Sequence, residues 1–127
     1  MLTRDDILKA KDTQIEPVKA WGGTVYVRGM TGTERDAYEA SVITMRGNKQ
    51  SFNLKNVRAK LCVMTLCDKD GLRLFADGDV ELLAEKSAAE LQKIFVVAQR
   101  LSGITERDVQ ELTEGIEDNP FDGSVSG

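Results

Sequence analysis

Apolar and polar residues change period several times along the chain, and each change marks a boundary between elements. Thr3 followed by Asp6 has the spacing of a helix start, and a short helix is predicted to run to about Lys11. A run from Thr13 to Trp21 and a second from Thr24 to Arg28 flank Gly22-Gly23. The second run alternates β-branched and aromatic residues with period two, and Gly-Gly suits a two-residue turn, so a β-hairpin is predicted over about 13–28. Pro17 has no N–H to give to a ladder, which makes its strand an edge or a partly paired one.

Thr31 and Glu34 have the spacing of a capping box, opening a helix predicted to reach about Arg46 with Tyr38, Val42 and Met45 on its buried stripe. Gly47 to Ser51 reads as a polar, flexible loop. A further helix is predicted from Asn53 to about Met64, with Leu54, Val57, Leu61 and Met64 on one face. The period then shortens, and Asp68-Lys69-Asp70-Gly71 before Leu72-Arg73-Leu74-Phe75 predicts a second hairpin over about 64–75. Asp77 and Asp79 precede a short helix at Val80–Leu83. Ser87 and Glu90 form another box spacing, and the helix they open carries Leu91, Ile94, Phe95, Ala98 and Leu101 before Gly103 stops it. Thr105 and Asp108 start a last short helix with Val109 and Leu112.

These elements amount to an α+β fold: a mostly helical single domain over 1–115 with two hairpins, followed by a disordered acidic tail over 116–127 that shows no period. The length of 127 residues agrees with one domain holding one modest core.

Charge changes this picture by dividing the chain. The net charge of −4 argues against a nucleic-acid binder. Residues 1–60 nevertheless carry a net +4 and residues 61–127 a net −8, and from Ile104 onward Arg107 is the one base among seven acids. Such a division suits self-association or partner docking, although an acidic run is also how a solvated tail looks.

Candidate chemistry is narrowed most by the complete lack of histidine. It excludes Ser-His-Asp and Cys-His nucleophile pairs, imidazole acid–base catalysis and His-ligated metals. Cys62 and Cys67 lie in an apolar stretch and read as buried free thiols of a reducing compartment, though their spacing also permits a disulfide. Asp68-x-Asp70-Gly71 departs from a calcium loop in its glycine offset and its terminal glutamate, and a turn accounts for it. Glu81 and Glu85, one turn apart, are a pair that a metal site could use, but no third ligand is implied. No catalytic residue, metal or cofactor is therefore expected. No apolar run has the roughly 20 residues of a membrane span, and the N-terminus lacks a signal-peptide core, so the expected location is the cytoplasm. Three aromatic residues stand as candidate partner-binding positions: Trp21 beside the turn, Tyr26 on the second strand, and Phe121 in the tail as part of Asn119-Pro120-Phe121. For Trp21 the competing role is to cover the apolar face of its hairpin.

Three stretches, in order, resemble the tail assembly chaperones of long, non-contractile-tailed bacteriophages and related prophages. They are Trp21 to Asp36 (WGGTVYVRGMTGTERD), Asn56 to Leu61 running into Asp68 to Phe75, and Glu85 to Ala89 running to Leu101-Ser102-Gly103-Ile104. The resemblance spans most of residues 1–105 and little of the tail. It implies a non-enzymatic protein of the bacterial host cytoplasm that binds the tape measure protein, a long, helical, partly apolar chain. Such a protein keeps that client soluble while tube subunits polymerise around it, and is absent from the mature virion. It further implies a frameshifted longer form that recruits the tail tube protein, with this chain matching the shorter form. Two other functions fit the residues less fully: a head–tail connector or minor tail component, and a small carboxylate-dependent metal protein or hydrolase.

Overall fold

The computed structural model describes residues 1–46 and 49–104. The helix expected at 105–112, the tail with Phe121, and Gly47-Asn48 lie outside the described residues. Within them the chain is α+β, and the elements begin where local chemistry sets them.

Helix α1 (Arg4–Lys9) opens on a complete capping box: the Asp6 N–H donates to Thr3 Oγ1 at 3.2 Å and the Thr3 N–H to Asp6 Oδ2 at 2.9 Å. It stops at Lys9, two residues before the expected end, because Ala10 is already extended. Strands β1 (Ile15–Ala20) and β2 (Gly23–Arg28) form the first hairpin within the expected span. Strand β5 (Leu66–Cys67) joins the other side of β2, giving the antiparallel order β1-β2-β5. Strand β1 is thus an edge, as Pro17 requires. Gly29 N–H donates to the Gln14 carbonyl at 3.0 Å, and ladder alternation from that pair turns the backbone of Ile15, Pro17 and Lys19 away from β2. The missing N–H of Pro17 therefore costs the sheet nothing.

Helix α2 (Gly32–Val42) starts on the second complete box, with Thr31 and Glu34 as the reciprocal pair. It ends four residues short of the expected Arg46. Ile43 takes φ −99° and ψ 127°, and Ile43–Arg46 becomes strand β3, paired antiparallel with β4 (Lys49–Phe52). Met45 therefore belongs to a strand instead of the helix stripe, and residues 49–51 to a strand instead of a loop. Two β-branched residues, Ile43 and Thr44, follow directly on Val42 and fit a pleated ribbon better than a helix.

Helix α3 (Val57–Thr65) starts four residues later than expected. Asn53 Oδ1 accepts the Lys55 N–H at 3.1 Å in a local turn, and Asn56 sits at φ +56°, which asparagine tolerates but a helix cannot include. Leu54 is left exposed by this turn instead of joining the apolar face. The second hairpin exists in shortened form. Asp68 Oδ1 accepts the N–H groups of Asp70 and Leu72 at 2.8 and 3.0 Å, fixing the turn, but the returning strand is reduced to a bridge between Cys67 and Arg73. The expected start at Met64 is overturned, because α3 runs through Thr65. A 3-10 turn (Asp77–Asp79) leads into α4 (Val80–Ala84), and α5 (Ala88–Leu101) closes the described chain.

The core lies where α3 and α5 pack together and against the inner face of the sheet. Leu61, Cys62 and Val63 from α3, Leu66 from β5, Val27 from β2 and Ile94 and Ala98 from α5 are each at most 1% exposed. Both thiols are free and buried, and the Cys62 S–H donates to the Leu91 carbonyl at 3.6 Å, tying α3 to α5. No helix among the described residues is long and apolar enough to cross a membrane.

The C-terminal end of α5 is held against the segment that follows β2. Ile104 N–H returns to the Gln99 carbonyl at 2.8 Å and Gly103 N–H to the Arg100 carbonyl at 3.2 Å, a Schellman arrangement that needs the φ of +75° at Gly103. Ser102 Oγ accepts the Met30 N–H at 3.0 Å. Gly29 is so near that a Cβ there would collide with the Leu101 carbonyl oxygen. Gly29→Ala is therefore expected to destabilise the protein by about 1–3 kcal/mol, the usual effect of overpacking against fixed backbone. A urea titration that left the midpoint unchanged would show that α5 can move aside.

Candidate interaction surface

The hairpin tip carries one of the two non-glycine residues with a positive φ among the described residues. Ala20 pairs with Gly23, so the two turn residues are Trp21 and Gly22, at φ +52° and +77°. This is the type I′ geometry that suits a two-residue hairpin. The expected Gly22-Gly23 turn is thus displaced by one residue, and a tryptophan occupies a left-handed position that normally favours Gly or Asn. The reason is a contact 69 residues away in sequence: Glu90 Oε1 accepts the Trp21 N–H at 2.8 Å. Glu90 also faces Lys93, at 3.2 Å from Oε2. The Trp21 hydrogen bond and then the Lys93 ammonium hold the Glu90 carboxyl below the ordinary glutamate range.

That contact also alters the helix cap. Ser87 Oγ accepts the Glu90 N–H at 3.4 Å, so one half of the expected box forms. The Glu90 side chain does not complete it; it reaches across to the hairpin instead.

Trp21 is 41% exposed beside an open groove of about 410 Å³. Lys19, Trp21 and Thr24 line it from the hairpin, Glu90 and Lys93 from α5. Tyr26 is half-buried opposite Pro17 and Cys67 and is not part of the groove, so the structure separates two of the three candidate aromatics. Phe121 lies outside the described residues. Trp21→Asn should stabilise the fold by about 0.5–1 kcal/mol, because asparagine tolerates this conformation and the Glu90 contact uses only the backbone N–H. A lower melting temperature for the variant would mean that packing of the ring outweighs its backbone strain.

Away from the tip, apolar side chains stand exposed. Helix α1 buries none of its residues and leaves Ile7 and Leu8 open, with Leu2 just before it. Leu72 and Leu74 are exposed on the turn beyond β5, and Ile15 lies beside that turn, since a Cβ on Gly71 would stand 3.2 Å from Ile15 Cδ1. This region of the surface was not legible in the sequence, where Leu72 and Leu74 read as strand residues and α1 only as a short helix.

Two arginines, Arg28 and the less buried Arg73, are each held by fixed partners. Arg28 Nη2 meets Glu34 Oε2 at 2.6 Å, with the two side chains 11% and 23% exposed. Arg73 Nη2 donates to the Val63 carbonyl at 3.2 Å and to Asp77 Oδ1 at 2.8 Å. Burial tends to raise the Glu34 pKa, but the hydrogen bonds from Arg28 and Thr31 and the charges of Arg28 and Arg73 outweigh it and leave the carboxyl below its ordinary range. Burial pushes the Cys62 thiol up to about 12, so at neutral pH it is protonated and unreactive. Among the described residues no three His, Cys, Asp or Glu side chains gather as a metal cluster. Comparison of the chain with protein-family models, with curated proteins and with solved structures gives no match.

Proposed function

We propose that this chain is a non-catalytic tail assembly chaperone of a long, non-contractile-tailed bacteriophage or a related prophage. It works in the cytoplasm of the bacterial host, holds the tape measure protein soluble while tail tube subunits assemble, and stays out of the finished particle. A frameshifted longer form brings in the tube protein. The observation that carries the reading is the pair of apolar regions, Leu2, Ile7 and Leu8 about α1 and Ile15, Leu72 and Leu74 at the sheet end. Exposed apolar groups of this kind suit a long helical client with an apolar stripe.

Co-expression with the tape measure protein of the same phage tests it. The client is expected in the soluble fraction with the wild-type chain and in the pellet with Leu72→Ser/Leu74→Ser, whose exposed positions leave the fold intact. An insoluble client in both cases sinks the proposal, as does detection of this chain in purified particles by mass spectrometry. Self-association through the oppositely charged halves is part of the same reading, and sedimentation across a salt series checks it. A salt-insensitive oligomer, or a strict monomer at high concentration, removes that part.

A further inference from the structure

The groove at the hairpin tip has an unbalanced chemistry. Glu90 is already engaged by the Trp21 N–H and by Lys93, whereas Lys19 is exposed and has no ion-pair partner among the described residues. What the groove offers a ligand is therefore a net positive charge, with the Lys19 ammonium unpaired and Lys93 shared with Glu90, beside a partly exposed Trp21. Its natural complement is an acidic segment that carries an aromatic residue.

The chain itself contains one. Between Glu114 and Asp122 lie Glu114, Glu117, Asp118 and Asp122, with Ile116 and Phe121 among them and no Lys or Arg. The distance is compatible. The described chain leaves α5 at its C-terminal end, and the groove is at the N-terminal end of the same helix. That helix has 14 residues, so its ends are about 20 Å apart. Residues 105–113 can span up to about 30 Å when extended. A second groove, of about 260 Å³ between α2 and α3, is a poorer seat for acids. It is lined by Tyr38, Val63 and Met64, with the Asp77 carboxylate at its wall and Lys60 donating to the Ser41 carbonyl at 3.0 Å.

We infer that the groove formed by Lys19, Trp21 and Lys93 seats the chain's own acidic segment 114–122, with Phe121 against Trp21 and the carboxylates drawn chiefly to Lys19. Surface ion pairs are individually weak, but a tethered segment has an effective concentration in the millimolar range. A contact with a millimolar dissociation constant is then about half occupied. The seat is independent of any client.

Trp21 is the single tryptophan, so its fluorescence reports on this groove alone. Acrylamide quenching of the full-length protein tests the inference. At low salt, Glu117→Lys/Asp118→Lys/Asp122→Lys is expected to raise the quenching constant about twofold, the change when a half-occupied seat empties. Lys19→Glu should do the same, and combining it with the triple reversal should restore protection. Lys19→Gln serves as a milder partner if circular dichroism shows Lys19→Glu to be unfolded. Unchanged quenching in the triple variant overturns the inference, because that variant leaves the described fold untouched. Failure of the combined reversal to restore protection overturns it as well. Protection that grows with protein concentration assigns the seat to the segment of a second copy and overturns the intramolecular arrangement.

Discussion

Ile94→Ala is expected to lower the unfolding free energy by about 3 kcal/mol, in the middle of the range for truncating a fully buried Ile. Ile94 is wholly buried on α5, in the same cluster as Leu61, Leu66 and Val27. Those neighbours come from three other elements that are themselves tied into the fold, so the void left by the lost carbons cannot close without moving several of them. In a domain of this size the change corresponds to a fall in melting temperature of roughly 10–20 °C. Differential scanning calorimetry would measure it. Val96→Ala, two residues further along α5 and 51% exposed, serves as the control and should cost little. Equal losses at the two positions would show that helix propensity, and not packing, sets the stability of α5.

The second large effect is expected at Glu34. Replacing it by Gln keeps a group able to accept the Thr31 N–H but leaves the Arg28 guanidinium 11% exposed with its counter-charge gone. The expected cost is about 2–3 kcal/mol, below that of a fully buried pair because the Glu34 side chain still touches water. Arg28 Nε already lacks a protein acceptor among the described residues, so the cation has nowhere else to turn. Arg28→Met in the Glu34→Gln background should recover much of the loss, since no unpaired charge then remains. The same pair sets a pH dependence. Glu34 has a lowered pKa in the folded state, so its contribution is present above the ordinary glutamate range and is lost as pH falls through the folded value. Stability should therefore drop on acidification below about pH 4.5, and the drop should be shallower in Glu34→Gln. Parallel acid titrations of the two proteins would reveal a structural role for Arg28 alone.

Glu90 and Glu34 illustrate how two identical sequence signals diverge. Each stands three residues after a hydroxyl residue at a helix start. At Thr31 the box closes, because the Glu34 carboxylate can serve the Thr31 N–H with one oxygen and Arg28 with the other. At Ser87 the carboxylate finds the Trp21 N–H, an otherwise unmet donor at a strained turn, and leaves the cap half made. Only the placement of the hairpin against α5 decides between the two.

Sequence by itself determined what short-range chemistry governs: the starts of α1, α2 and α5, the stop at Gly103, the place of the first hairpin, the edge position of the Pro17 strand and the α+β class. Each depends on hydrogen bonds or backbone preferences reaching no more than a few residues along the chain. Tertiary structure alone decided the Trp21-Gly22 turn, the pairing of β5 with β2 and the exposure of Leu72 and Leu74. It also built the candidate groove, whose two walls lie about 70 residues apart in sequence, as the 69-residue separation of Trp21 and Glu90 shows. Periodicity records which way a side chain faces within its own element. It carries no information about which distant donor a carboxylate will meet, and that meeting is what made the hairpin tip a surface.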